Sequence, residues 1–434
     1  MVEINPTMEG FQMPKRKLLS VLIGAALAAA LTAGCTTDST DAGGQVTIKM
    51  SVSGSEQEKK LRYETADLFM QKHPNIKIEW VDLGTDRYQK TMTLVSGGEA
   101  PDILYLNDWV FPFAEKGVLM PLDEFIEGDA SFNLDSFYKP LVDAFRVDGK
   151  LYALTQEVSP LVMYYNKDMF DKQGGPYPTD DWTEQEFIET AKKLTDSGQR
   201  QYGYLIENGV LSWGGFLNRA GAHIYSSDGT KSGFDTPEAL NALRLMHRIA
   251  VQDRSSPNPA EQKAQGQGSD AQFRNGQVAM FASGLWQLPA FKAEPLPFQW
   301  DVVRMPKGVT QTTKAGVLEW GISAETKHPK EAWEVLKFFV GPEGMNIVAK
   351  YNMALPATQD NAANQMILDS KFPDNVKAFI ASAPMVNLEE VTNMRSAEIN
   401  LAVTQEIDLM LLGTQSPEET QTKIVSTMNQ ILSE

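Results

Sequence analysis

Alternating apolar and polar positions predict a short series of strands once the chain passes residue 45. The segments VTIKM (46–50) and IKIEWV (76–81) alternate with a period of two, and PDILYL (101–106) is a compact apolar run. Between the first two, Ser55 and Glu58 form a capping box that starts a helix. With a second helix over about residues 86–96, the order strand, helix, strand, helix, strand predicts a parallel sheet with helical crossovers.

Three polar loops follow the predicted strands, where parallel sheets bind their ligands. These loops are Ser53-Gly54-Ser55, Gly84-Thr85-Asp86 and Asn107-Asp108-Trp109. Their short polar side chains supply hydrogen-bond donors and acceptors, although Ser and Asp are also ordinary capping residues. A Trp directly after a strand makes the third loop the best candidate. The ligand-binding residues predicted here are Ser55, Asp86, Asn107, Asp108 and Trp109.

The lone cysteine lies behind a basic and then an apolar segment. PKRK (14–17) precedes LLSVLIGAALAAALTA (18–33), which is short for a membrane span and typical of a secretory signal. LTAGC resembles the lipobox of bacterial lipoproteins, which implies a diacylglycerol on Cys35. We predict a signal peptide over residues 1–34, with Met13 as the true start, and a polar tether over 35–45. An ordinary cleaved signal with an incidental cysteine is the alternative.

Charge, length and the absence of catalytic motifs narrow the range of possible functions. The chain has 434 residues and a formal charge of −17, which disfavours nucleic acid and anionic lipid as partners. About 390 residues follow the tether, more than one core usually holds, so two lobes are expected. No phosphate loop, HExxH zinc motif or GxSxG nucleophile elbow occurs in the sequence. We therefore expect a monomeric binding protein without cofactor or metal.

Aromatic residues stand beside polar or glycine residues at several places. A flat ring suits the C–H face of a sugar, and carboxylates or amides suit its hydroxyl rim. Any one Trp is more often a core residue. Together they favour a carbohydrate site, and the aromatic residues concerned are Trp109, Tyr165, Trp213, Trp286 and Trp320.

Four stretches resemble the family 1 extracellular solute-binding proteins of ABC importers. They are GGEAPDILYLNDWVFPFAEKGVLMPLDEFI, LYALTQEVSPLVMYYNKDMFDKQG with WTEQEFIETAKKLTD, FRNGQVAMFASGLWQL and KEAWEVLKFFVGPEGMNIVAKYNMALPA. The third is close to the family pattern F-x-x-G-x-x-A-M-x-x-x-G-x-W. Together these stretches run across nearly all of residues 46–434.

The resemblance implies a fold and a set of residue roles. The fold would be α/β, a two-lobe periplasmic-binding-protein-like fold of type II with the ligand cleft between lobes. Tyr165 and Trp286 would stack on sugar rings, and Gly284 would let backbone approach the ligand. The resemblance assigns hydrogen bonding to Asn107, Asp108 and Glu157, and an aromatic contribution from the second lobe to Trp213. Glu319 and Trp320 stand where the family commonly has glycines or small residues, and we predict that they line the cleft as ligand-binding residues and fill or reshape it. The size and identity of the ligand therefore stay open.

The predicted function is an extracytoplasmic receptor, lipid-anchored to the outer face of the bacterial cell membrane. It would capture a neutral mono- or oligosaccharide by lobe closure and deliver it to an ABC permease. The predicted lobes are 46–156 with 325–356, and 157–324 with 357–434. Two alternatives stay open: a secreted glycoside-active enzyme, and a sensory or adhesive lipoprotein without a transport partner.

Overall fold

The computed structural model describes residues 44–106, 109–265, 268–359 and 361–434. Cys35, the predicted signal peptide, most of the predicted tether, Asn107 and Asp108 lie outside these ranges. The strands are β1 (Val46–Val52), β2 (Ile76–Asp82), β3 (Ile103–Tyr105), β4 (Arg146–Val147), β5 (Lys150–Leu151), β6 (Leu154–Pro160), β7 (Val162–Asn166), β8 (Met280–Ser283), β9 (Trp300–Val303), β10 (Ala315–Ile322) and β11 (Leu355–Pro356).

The α-helices make up the larger share of the regular structure. They are α1 (Glu56–Lys72), α2 (Arg87–Ser96), α3 (Val110–Glu115), α4 (Asp123–Gly128), α5 (Lys139–Asp143), α6 (Lys167–Gln173), α7 (Glu184–Lys193), α8 (Val210–Arg219), α9 (Pro237–His247), α10 (Pro259–Gln265), α11 (Ser269–Arg274), α12 (Leu288–Ala293), α13 (Pro329–Phe339), α14 (Pro342–Tyr351), α15 (Asn361–Asp369), α16 (Lys377–Ser382), α17 (Ser396–Leu411) and α18 (Pro417–Ser433).

Local sequence signals set the ends of several helices. Ser55 caps α1 and pairs reciprocally with Glu58, which confirms the predicted capping box. Thr183 and Glu186 cap α7 in the same way. Because these bonds join residues three apart, the sequence alone is enough to specify them.

The larger sheet has six strands in the order β11-β6-β10-β3-β1-β2. β1 is parallel to β2 and β3, as the alternating strands and helices predicted. β10 is inserted antiparallel between β3 and β6. A smaller sheet, β8-β7-β9, is antiparallel throughout. The alternation of β7 places Val162 and Tyr164 in one core cluster, and Met163 and Tyr165 in the other.

Three chain segments pass side by side where the two sheets meet. The amide of Leu161, between β6 and β7, donates to the carbonyl of Lys314 (2.8 Å). The amide of Asn387 donates to the carbonyl of Thr313 (2.9 Å). The chain therefore changes sheet at Leu161 and again just before β10. By its hydrogen bonds β10 belongs to the larger sheet, whereas the predicted boundary after residue 324 groups it with the second lobe. The lobe boundaries as a whole stay a prediction.

Candidate functional site

Trp109 forms one end of the candidate site, after the carboxyl end of β3. Its half-buried ring packs edge-on against Tyr88, with 5.3 Å between ring centroids. Arg87, the first residue of α2, lies beside it. The Arg87 guanidinium is 6.0 Å from the Trp109 ring centroid and 5.7 Å from that of Tyr105. This end therefore offers an aromatic ring and a cation.

Trp286 forms the other end. Trp286 is the most exposed of the predicted aromatic site residues, since 37% of the residue is open to solvent. Two glycines make room for its ring. A Cβ atom at Gly284 would overlap the ring atoms Cζ3 and Cε3, and one at Gly316 would stand 3.0 Å from Cζ3. The ring lies over these backbone positions because neither residue has a side chain.

The loop that carries Trp286 is tied to the sheets. The Leu285 amide donates to the Ser159 hydroxyl (2.8 Å), and the Tyr164 hydroxyl donates to the Gly284 carbonyl (2.6 Å). Ser159 belongs to β6 and Tyr164 to β7. The Trp286 backbone is thus held by rigid elements while its ring stays accessible, which is the geometry of a binding platform.

Glu207 is a residue that the sequence reasoning missed. It lines a small cavity of about 40 Å³ with Trp286, and Leu211 and Ser212 form part of the same wall. Its side chain is solvent-accessible, yet desolvation by the surrounding protein raises the pKa of its carboxyl group. Its carboxylate oxygens can accept hydrogen bonds from a ligand. No sequence motif marks Glu207, which looks like one more acidic loop residue.

Both ends of the candidate site lie beside strand β10. The Leu106 amide, at the end of β3, donates to the Glu319 carbonyl (3.1 Å). Three residues earlier on β10, Gly316 lies under Trp286. Since a strand rises about 3.4 Å per residue, the two positions are about 10 Å apart along the strand.

Several predicted site residues are buried and face the core instead. Trp213 is 1% exposed, and its indole N–H donates to the Thr404 hydroxyl (3.0 Å). Trp320 is fully buried, and its N–H donates to Gln156 Oε1 (3.1 Å). Tyr165 packs edge-on against Phe170 in the second core cluster. None of these three rings is open to a ligand in this structure.

Some of the predicted polar residues are also buried or paired within the protein, and others are exposed. Glu319 is fully buried. Glu157 is ion-paired to the buried Arg62, with 2.6 Å between Oε1 and Nη2. Ser55 uses its hydroxyl to cap α1, and Asp86 is exposed just before α2. The structure therefore brings Trp109, Gly284 and Trp286 toward one sheet edge and adds Arg87 and Glu207.

A cavity of about 980 Å³ lies elsewhere. His73, Phe137 and Phe338 are among its lining residues. His73 follows the carboxyl end of α1, whereas Ser55 at the other end of α1 follows β1. A helix of 17 residues is about 25 Å long, so this cavity is far from the strand ends that form the candidate site.

Gly284→Ala should weaken ligand binding about tenfold or more, because the new methyl group would displace the Trp286 ring. The backbone at Gly284 has φ −104°, which any residue adopts, so the effect comes from overlap with the Trp286 ring and the Ser159 hydroxyl and not from backbone strain. Titration calorimetry measures the affinity. Gly128→Ala is the matched control, since nothing lies within 4 Å of its new Cβ. Equal affinity of Gly284→Ala and wild type would contradict the platform role.

Within the described ranges, no group of three or more His, Cys, Asp or Glu side chains could hold a metal ion. Across the same residues, no helix has the length and apolar character needed to cross a membrane.

Two sheets linked by chain segments that pass side by side between them form the two-lobe fold of a solute-binding protein. The family model for bacterial extracellular solute-binding proteins matches residues 53–346, and the chain belongs to that family.

Relatives and solved structures agree with this assignment. A binding protein of Brucella abortus is 26% identical over 332 residues, covering 74% of this chain and 77% of the relative. A maltotriose-binding protein of Pyrococcus abyssi is 23% identical, covering 63% of this chain and 58% of the relative. An ABC substrate-binding protein from Listeria monocytogenes in complex with cycloalternan is 29% identical, with a TM-score of 0.80, 90% of this chain and 99% of that one covered.

Proposed function

We propose that this protein is an extracytoplasmic receptor that captures a carbohydrate and delivers it to an ABC permease. The observation that carries the proposal is the accessible ring of Trp286 beside the Glu207 carboxyl. An aromatic face with a hydrogen-bonding group at its edge suits the C–H face and hydroxyl rim of a sugar.

The comparisons support the same class of ligand. The Listeria monocytogenes protein was solved with cycloalternan, and the Pyrococcus abyssi relative is a maltotriose-binding protein. Binding without chemical change is part of the proposal, because the family model that the chain matches is one of solute-binding proteins.

Thermal denaturation in the presence of a panel of mono- and oligosaccharides tests the proposal. A sugar that binds only the native state raises the midpoint by mass action, by an amount that grows with its concentration. Chromatography of the incubated sugar should return it unchanged. Hydrolysis in proportion to protein concentration would replace the receptor by a glycoside-active enzyme.

Membrane attachment through Cys35 is the second element of the proposal. LTAGC behind a basic and apolar segment supports a diacylglycerol at this thiol, and two acyl chains are enough for stable anchoring. Cys35→Ser should shift the protein from the membrane fraction to the soluble extracytoplasmic fraction, measured by fractionation and immunoblotting. Membrane retention equal to wild type would contradict the anchor. Ser39→Ala, in the tether, is the control and should stay with the membrane.

A further inference from the structure

The Trp109 end of the candidate site carries a cation without a counter-charge in the described part of the chain. Arg87 is half-buried, and its Nη1 donates to the Tyr105 hydroxyl at 3.3 Å. Among the residues that the structure describes, no carboxylate lies within 4.0 Å of the Arg87 nitrogens, although acidic residues outnumber basic ones by 56 to 39 in the whole chain.

The surroundings of Tyr105 hold charges of both signs, since Arg87 and Arg62 lower the pKa of its hydroxyl while Glu157 and Glu319 raise it. Arg62 is buried and pairs with Glu157 through Nη2. Its Nε and Nη1 are buried and have no hydrogen-bond partner among the described residues. Burial raises the pKa of the Tyr105 hydroxyl to about 12, so this group stays neutral and does not balance either arginine.

The fixed rings around Arg87 favour a planar anion. Its guanidinium lies over both the Tyr105 and the Trp109 rings, which limits the rotamers it can adopt. Guanidinium presents a planar fork of N–H groups that matches a carboxylate in two parallel hydrogen bonds. A sugar ring on Trp109 would bring a carboxylate substituent within reach of that fork.

We propose that the ligand is an acidic oligosaccharide, with a uronate carboxylate bound by Arg87. This inference rests on the proposed function and names the substrate class of the same site. The overall negative charge of the protein does not oppose it strongly, because charges farther than about 8 Å are largely screened at physiological ionic strength.

The Trp286 end of the site is suited to a neutral ring of the same ligand. Glu207 lines a small cavity with Trp286, where its carboxylate oxygens can accept hydrogen bonds from the hydroxyls of a neutral sugar ring. The acidic ring would lie at Trp109, and a neutral ring would lie at Trp286.

The test compares matched pairs of oligosaccharides that differ only in a carboxylate, such as galacturonate and galactose disaccharides and their gluco and manno equivalents. Titration calorimetry gives the affinities for wild type, Arg87→Gln and Arg87→Lys. The acidic member of one pair should bind wild type more tightly. Arg87→Gln should weaken it on the order of 10- to 100-fold while changing the neutral member by less than about threefold. Arg87→Lys should retain part of the preference.

Arg254→Gln is the charge-matched control. Arg254 is exposed and has no ion pair among the described residues, but it lines a different cavity with Arg200 and Leu412. This variant should bind both members of each pair as wild type does. Circular dichroism and the midpoint of thermal unfolding confirm that each variant is folded.

The outcomes separate the two proposals. Binding of the neutral members alone, or an equal loss of both members in Arg87→Gln, would overturn the acidic-ligand inference and leave the receptor function intact. Binding of sulfated sugars with no binding of uronates would overturn the assignment to a carboxylate. If no sugar of either kind binds, the proposed function fails, and this inference fails with it.

Discussion

Lys314→Met is expected to lower the free energy of unfolding by about 3–5 kcal/mol, because it removes one partner of a buried ion pair. The Lys314 ammonium is fully buried and lies 2.6 Å from the Glu390 carboxylate, which is itself 4% exposed. It also donates to Asn387 Oδ1 (2.9 Å). Removing the ammonium would leave a buried carboxylate without its counter-charge.

The position of this pair explains why it is buried. Lys314 belongs to the second chain segment that passes between the sheets, and Asn387 and Glu390 belong to the third. A Cβ atom at Gly214 in α8 would stand only 2.9 Å from the Lys314 Cε, so α8 packs directly on the lysine stem. The pair therefore joins two connecting segments beneath a helix of the second core.

The energetic reason for the loss can be tested by a second variant. Burial raises the pKa of Glu390 and the Lys314 ammonium opposes that shift, so the buried carboxylate depends on its partner. Lys314→Met with Glu390→Leu should therefore recover most of the lost stability, because neither charge remains to be buried. Urea denaturation measures both variants.

An exposed ion pair provides the comparison. Arg244 and Glu418 are both about half exposed, and Arg244→Gln should change the unfolding free energy by less than about 1 kcal/mol. A Lys314→Met variant as stable as wild type, or a double variant less stable than the single one, would contradict this explanation of the buried pair.

Trp286→Ala is expected to weaken carbohydrate binding by about 2 kcal/mol or more, which is about thirtyfold. The unliganded protein should stay nearly as stable as wild type, because more than a third of the residue is already open to solvent. Affinity by titration calorimetry and stability by urea denaturation decide between a binding platform and a packing role.

Trp182 supplies the contrasting variant. It is buried, packs edge-on against Phe187, and donates its indole N–H to the Arg304 carbonyl (2.8 Å). Trp182→Ala should cost about 3–5 kcal/mol of stability and leave the affinity per folded molecule unchanged. If Trp286→Ala behaved like Trp182→Ala, Trp286 would be a core residue.

The sequence was sufficient for features that depend on neighbouring residues. The capping box at Ser55 and the parallel pairing of β1 with β2 were predicted and confirmed. Each depends on residues a few positions apart or on a period of two that local side chains display.

Features that depend on distant residues were harder to predict. Glu319 and Trp320 resembled exposed site residues, but β10 is inserted between β3 and β6 and is buried there. Trp213 lies beside glycines in sequence, yet those glycines admit Lys314 from another segment. Arg87 and Glu207 showed no motif, since their importance comes from which rings and cavities the fold places next to them.

A protein that binds a carbohydrate at the edge of the larger sheet should release it unchanged. The most direct test is calorimetric titration of the purified protein with each oligosaccharide that raises its thermal midpoint, followed by chromatography of the recovered sugar. We expect saturable binding with one site per chain, a loss of about thirtyfold in affinity in Trp286→Ala, and complete recovery of the sugar. Absence of saturable binding, affinity equal in wild type and Trp286→Ala, or a hydrolysed sugar would contradict the receptor function.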